Sequence, residues 1–201
     1  MNNYDITRLE SEKQFLTYDI APMVKKYGLR QDEKFTYIVF LGSMYRISKQ
    51  AGKVERIEGQ TYIQAGFDES MTIFDVLCYA KENATLSGEY CSVMQLPGVA
   101  KTANPGGDMF GKYANRFAGK QDALRRACEI LDGTPYPVGE VAYQIPLFDF
   151  LPIVLQFWDA DDEFPAQFTI KWDKNTLRYM HFETTFYAVG YLLERLVELD
   201  K

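Results

Sequence analysis

The most unusual string in the sequence is the acidic run Trp158–Pro165. Four carboxylates stand in the five positions from Asp159 to Glu163. Neighbouring carboxylates repel one another unless a cation or a basic partner relieves the charge. An EF-hand would need a central glycine and a later bidentate glutamate, which this run lacks. The other interpretation is a solvated turn whose Phe164 and Pro165 fix the start of the next strand.

His181 is the only histidine in the chain, and Glu183 stands two residues after it. A histidine that is oriented by a carboxylate can act as a general base. Together with the acidic run, this pattern predicts a divalent-metal site that would serve a metal-dependent hydrolase or lyase. Its ligands would be Asp161, Asp162, Glu163, His181 and Glu183. In the alternative interpretation, the histidine and its carboxylate only cap a helix or satisfy the core.

Basic residues gather in the segment from Lys101 to Arg126, which holds six Lys or Arg against two Asp. Lys112 and Arg116 stand one helical turn apart after a glycine-rich stretch. The spacing of a Walker loop is missing. The pattern predicts that Lys101, Lys112 and Arg116 bind an anionic small molecule. The alternative is that the acidic segment 127–170, which has no Lys or Arg, simply neutralises this charge.

Three cysteines, Cys78, Cys91 and Cys128, are too few and too widely spaced for a zinc ribbon or a four-cysteine iron–sulfur site within one chain. Their odd number also argues against a disulfide framework. With no secretory signal and no uninterrupted apolar span, the sequence predicts a reduced, cytoplasmic protein that does not contact a membrane. Cys91 is the cysteine to test for reactivity, because it stands in a long loop.

The hydrophobic periodicity predicts an α+β fold with two antiparallel meanders packed with helices. One domain, 1–201, would contain a helical N-terminal segment (1–30), the first meander plus a helix (34–85), a long loop (86–111), and helices, the second meander and a final helix (112–201). Phe35–Leu41 is apolar on both faces, which is typical of a central strand. Ser70 is the candidate N-cap of the helix after the first meander. Alternation along 166–173 places Asp173 on the wet face.

Composition excludes several classes of protein. The 201 residues are 47% hydrophobic and 25% charged, which excludes a disordered chain and a membrane bundle. A net charge of −6 makes nucleic acid an unexpected partner. No nucleophile elbow, HExxH or GxGxxG motif is present, and nothing assigns a cofactor.

The C-terminal third resembles DUF3786, a family of domains of unknown function. The resemblance rests on Pro152–Pro165, Ile170–Asp173 and Tyr179–Glu183, and Leu86–Gly88 and Arg116 stand where the family has its loop and helix. It implies a protein of anaerobic bacteria or archaea with no established activity. Some relatives look fused to cysteine-rich iron–sulfur modules, and the resemblance also suggests an association with one-carbon or corrinoid metabolism. This chain lacks such a module.

Three functions follow from these patterns. The leading hypothesis is a non-catalytic ligand-binding or accessory domain, which holds an anionic small molecule or a partner protein through the long loop and the basic residues. The alternative is the metal-dependent hydrolase or lyase described above. The third is a structural subunit of an oligomer.

Overall fold

The computed structural model describes residues 3–100 and 110–200. The chain divides into two compact units: unit 1 contains Met1–Thr85 and Leu177–Ala188, and unit 2 contains Leu86–Thr176 and Val189–Lys201. Two antiparallel sheets with helices confirm the α+β class. A single domain over 1–201 stays a prediction, since compactness does not show which part folds alone. No helix within the described ranges is long and apolar enough to cross a membrane.

Unit 1 is an antiparallel meander with helices before and after it. The four strands pair in the order β1-β2-β3-β4. The elements are helices α1 (Asn3–Phe15) and α2 (Ala21–Lys26), strands β1 (Phe35–Phe40), β2 (Ser43–Ser48), β3 (Val54–Glu58) and β4 (Thr61–Gln64), and helix α3 (Phe67–Cys78). The rings of Phe15 and Phe74 lie 4.9 Å apart and join α1 to α3.

Strand β1 is an edge strand, which corrects the prediction of a central one. It alternates between half-buried and buried residues, as a strand with one wet face does. Phe35 and Tyr37 occupy the wetter face, where guanidinium groups cover their rings: Arg46 lies 4.3 Å from the Phe35 centroid and Arg30 lies 3.8 Å from that of Tyr37. These cation–π contacts cover the two aromatic rings on the wetter face. This is why the sequence of an edge strand has the apolar pattern of a central one.

Ser70 is not the N-cap of helix α3, so that prediction is wrong. A helix capped by Ser70 would begin at Met71, which is four residues after the observed start. The helix starts at Phe67, because the Glu69 carboxylate accepts the backbone N–H of Gly66 at 2.6 Å. The Tyr45 hydroxyl donates to the other oxygen of Glu69 at 2.7 Å. Ser70 is fully buried inside the helix.

Unit 2 contains a five-stranded antiparallel sheet in the order β5-β9-β8-β7-β6. Its elements are β5 (Tyr90–Ser92), α4 (Gly111–Phe117), α5 (Gln121–Ile130), β6 (Thr134–Pro135), β7 (Val141–Phe148), β8 (Leu151–Trp158) and β9 (Gln167–Asp173). Helix α6 (Phe182–Leu199) begins in unit 1 and ends in unit 2. The segment predicted as a long loop contains β5 and a short 3-10 helix, Val93–Gln95, and its residues 101–109 lie outside the described ranges.

Asp173 is fully buried, although alternation placed it on the wet face. Its carboxylate accepts the backbone N–H and the hydroxyl of Ser87, and the backbone N–H groups of Gly88 and Asn175, at 2.8–3.0 Å. Those donors replace water around the charge, which is what a buried carboxylate requires. The same contacts hold the start of β5 beside β9.

The turn after β2 approaches α1 at backbone contact distance. Gly52 has a φ of +69°, and a Cβ added there would lie 2.1 Å from the backbone oxygen of Glu12. Only glycine tolerates both the left-handed backbone and this distance. The approach fixes where α1 lies on unit 1.

Replacing Gly52 with Ala should therefore destabilise the protein more than the same change at Gly59. Gly59 has a φ of +60° but open space where a Cβ would stand, so it reports the backbone strain alone. We expect about 1 kcal/mol for Gly59→Ala and at least about 2 kcal/mol more for Gly52→Ala, in urea-induced unfolding. Equal losses would show that α1 does not lie against this turn.

Candidate functional site

His181 is held by the carboxylate of Asp75. Nδ1 of His181 lies 2.6 Å from Oδ1 of Asp75, and the backbone N–H of His181 donates to Oδ2 at 2.6 Å. The Thr184 hydroxyl also donates to Oδ2, at 2.6 Å. A carboxylate oxygen only accepts hydrogen bonds, so the proton in the ring contact lies on Nδ1. The neutral imidazole then presents Nε2 as an unprotonated nitrogen.

Two helices of unit 1 position these groups. Asp75 projects from α3, between the buried residues Phe74 and Val76, and 12% of its side chain is exposed. His181 and Thr184 stand at the start of α6, and 54% of the His181 side chain is exposed. The Tyr79 ring lies against the imidazole, with 3.7 Å between the ring centroids. The carboxylate is therefore shielded while the imidazole is accessible.

The His181–Asp75 pair lies in the wall of a pocket of about 340 Å³. That volume is at the lower end of the range of about 300–1,000 Å³ that is typical of small-molecule sites. The lining comes from α1 and the residues after it, from α3, and from the start of α6, all in unit 1. The residues are Ser11, Gln14, Phe15, Tyr18, Met71, Phe74, Asp75, Cys78, His181, Glu183, Thr184 and Tyr187.

Cys78 lies in the same pocket, but its thiol is not activated. Burial, together with the negative charge of Asp75, raises the pKa of Cys78 to about 12. A nucleophilic cysteine needs the opposite shift, because the thiolate is the reactive form. Burial also raises the pKa of Cys91, so the loop cysteine selected for a reactivity test has no activating environment either. The chemistry of the pocket therefore depends on the imidazole rather than on a thiolate.

The sequence predicts Glu183 as the carboxylate that orients His181, but in the structure it is Asp75 that contacts the imidazole. Glu183 is exposed and lines the pocket without forming an ion pair among the described residues. Sequence reasoning missed Asp75, Thr184 and the wall formed by α1. One signal was available: Asp75 is the only charged residue between Met71 and Ala80. A lone carboxylate in an apolar helix needs a partner, but the sequence does not show which one.

The residues of the predicted anion site have other partners. Nζ of Lys112 lies 4.5 Å from the centroid of the Tyr113 ring, and the Arg116 guanidinium pairs with Asp200 at 3.1 Å. Asp200 also pairs with Lys120 at 3.3 Å. Lys101 lies outside the described residues. Anion binding by Lys101, Lys112 and Arg116 stays a prediction.

The acidic run forms a turn between β8 and β9 that its own backbone stabilises. Asp161 accepts the backbone N–H groups of Glu163 and Phe164 at 2.8 and 2.7 Å, and these hydrogen bonds lower the pKa of Asp161. Asp159 accepts the backbone N–H of Gly119 at 3.0 Å. Asp159 and Asp161 therefore accept hydrogen bonds from backbone N–H groups, as the interpretation of the acidic run as a solvated turn predicts.

The predicted metal ligands fall into both units of the chain. Asp161, Asp162 and Glu163 belong to unit 2, and His181 and Glu183 belong to unit 1. Within the described ranges, no three His, Cys, Asp or Glu side chains are grouped so that they could hold a metal ion. A site built from all five residues stays a prediction.

The fold and the pocket define an α+β protein with a histidine–aspartate pair in a small-molecule-sized cavity. A model of the family described as domain of unknown function (DUF3786) matches residues 19–195. The chain belongs to this family. Comparisons of the chain with the curated proteins and with the solved structures found no match. The matched range includes the pocket residues on α3 and α6, whereas Ser11, Gln14, Phe15 and Tyr18 precede it.

The raised pKa of Cys78 predicts slow alkylation of the native protein. Three pKa units above the ordinary value of 9.0 reduce the thiolate fraction at pH 8 by about 1,000-fold. We expect iodoacetamide to modify Cys78 at least about 100-fold more slowly in native protein than in urea-unfolded protein, measured by peptide mass spectrometry. Cys78 modification as fast as in the unfolded chain would show an accessible thiol whose pKa is not raised and would contradict this assignment.

Proposed function

We propose that this protein binds a small organic molecule in the pocket of unit 1 and that His181 is the acid–base group that acts on it. The observation that carries the proposal is the 2.6 Å contact between Nδ1 of His181 and Asp75 in the wall of that pocket. General bases in proteins are most often histidines whose second nitrogen is held by a carboxylate or a carbonyl group.

Each neighbour of the imidazole has a distinct part in this arrangement. Asp75 fixes the tautomer and stabilises the positive charge that forms when Nε2 takes a proton. Thr184 and the backbone N–H of His181 hold the carboxylate through Oδ2. Tyr79 packs against the ring and limits its rotation. The imidazole is therefore oriented before a ligand arrives, which reduces the cost of binding and of proton transfer.

This pocket supports a ligand-binding role better than the basic segment does. A binding site needs a concave surface with apolar walls and a few oriented polar groups, and the unit 1 pocket has both. Arg116 already neutralises its charge against Asp200. The proposal therefore keeps the ligand-binding role that the sequence predicts and moves it to the pocket around His181.

The proposal is tested by the reaction of diethyl pyrocarbonate with His181. This reagent acylates an unprotonated imidazole nitrogen, and the chain has a single histidine, so peptide mass spectrometry of the segment that contains His181 follows this one imidazole. In an Asp75→Asn variant, the amide oxygen would accept from the His181 backbone N–H and the Thr184 hydroxyl, and the amide NH₂ group would donate to Nδ1 of His181. Nε2 would then carry the proton. We expect the reaction to slow at least about tenfold.

Asp149→Asn is the matched control, since it removes one negative charge from an exposed turn of unit 2 that no predicted site includes. It should leave the rate within about a factor of 1.5, as surface substitutions usually do not act at a distance. Equal rates for the native protein and Asp75→Asn would contradict the proposed role of Asp75. Normal circular dichroism of the variant shows that it has folded.

A further inference from the structure

The polar groups next to the imidazole in the pocket wall are hydrogen-bond acceptors, whereas the donors of the lining belong to Ser11, Gln14, Tyr18 and Tyr187. Thr184 gives its hydroxyl proton to Asp75, so its oxygen has only lone pairs left. His181 gives its Nδ1 proton to the same carboxylate and presents Nε2 as an acceptor. Glu183 adds a carboxylate. A ligand that satisfies these groups must bring hydrogen-bond donors.

The charge of the lining is negative. Asp75 and Glu183 are carboxylates, and no Lys or Arg belongs to the described lining. Nζ of Lys81 lies 4.6 Å from the centroid of the Tyr79 ring, which packs against the imidazole, but Lys81 does not line the cavity. The lining carries excess negative charge whether His181 is neutral or protonated. An anion in the pocket would meet repulsion that no Lys or Arg of the described lining offsets.

Aromatic rings supply the remaining walls. Phe15 and Phe74 are buried beside each other, with 4.9 Å between their centroids, and Tyr18 and Tyr187 complete the aromatic part of the lining. The faces of such rings attract a cation that has left bulk water, by about 0.5–2 kcal/mol. Carboxylates, acceptor atoms and aromatic faces all favour the same class of ligand.

We infer that the ligand is a small organic cation, an amine that is protonated at neutral pH and carries an apolar body. The ammonium group donates to Glu183 and to Nε2 of His181, and the apolar body lies against the rings. This inference rests on the proposed function, since it names the ligand class for the same pocket. This ligand class differs from the anion that the sequence predicts for the basic segment.

Three probes of one shape separate the classes of ligand: benzylamine is a cation, benzyl alcohol is neutral and benzoate is an anion. Binding is measured by titration in ¹H–¹⁵N spectra of the full chain, through the backbone signals of pocket residues. We expect benzylamine to bind at least about fivefold more tightly than benzyl alcohol, and benzoate to bind most weakly.

Glu183→Gln should weaken benzylamine binding at least about threefold and leave benzyl alcohol unaffected, since it removes only the charge. Glu194→Gln is the matched control: it makes the same charge change at an exposed position of α6 outside the lining, and it should affect neither probe. No effect of Glu183→Gln on benzylamine would overturn the assignment of the ammonium group to this carboxylate.

The outcomes distinguish the ligand class from the pocket itself. If benzyl alcohol or benzoate shifts the pocket signals and binds as tightly as benzylamine, the cation assignment is wrong and the pocket remains the binding site. If none of the three probes shifts these signals at millimolar concentration, the proposed binding function of the pocket is overturned as well.

Discussion

The carboxylate of Asp75 is the group on which the candidate site depends. It receives three hydrogen bonds of 2.6 Å, two of them from His181, which stands 106 residues further along the chain. A partly buried carboxylate is costly unless donors surround it, and these three donors meet that requirement. The same contacts attach the start of α6 to α3. One residue therefore joins two remote segments and sets the proton position on the only imidazole.

The opposite wall of the pocket depends on a different constraint. The meander of unit 1 brings the turn at Gly52 against the backbone of Glu12, and this approach fixes the position of α1. Phe15, three residues further along the chain, then packs its ring against Phe74 of α3. The backbone contact at Gly52 thus determines where the Phe15 ring lies in the pocket lining. The pocket depends on this contact on one side and on a hydrogen-bonded carboxylate on the other.

Periodicity predicts the elements of this fold better than it predicts their partners. The two meanders and the helices follow from alternation and helical spacing, because side-chain burial repeats with the backbone geometry. Asp173 and Asp75 break those rules: each is removed from water by donors that come from a distant part of the chain. Phe35 and Tyr37 mislead in the other direction, since Arg46 and Arg30 cover them at a sheet edge. A sequence pattern indicates a face, but it does not show the donors or cations that tertiary structure brings there.

Asp75 holds His181 with its proton on Nδ1, and long-range ¹H–¹⁵N correlation of the imidazole measures the position of this proton directly. The single histidine gives one set of ring signals. We expect the Nδ1–H tautomer of the neutral ring in the native protein, in contrast to the Nε2–H form that free histidine prefers. In Asp75→Asn we expect a change to Nε2–H. An Nε2–H tautomer in the native protein would contradict the account, because the nitrogen assigned to the ligand would then already carry a proton.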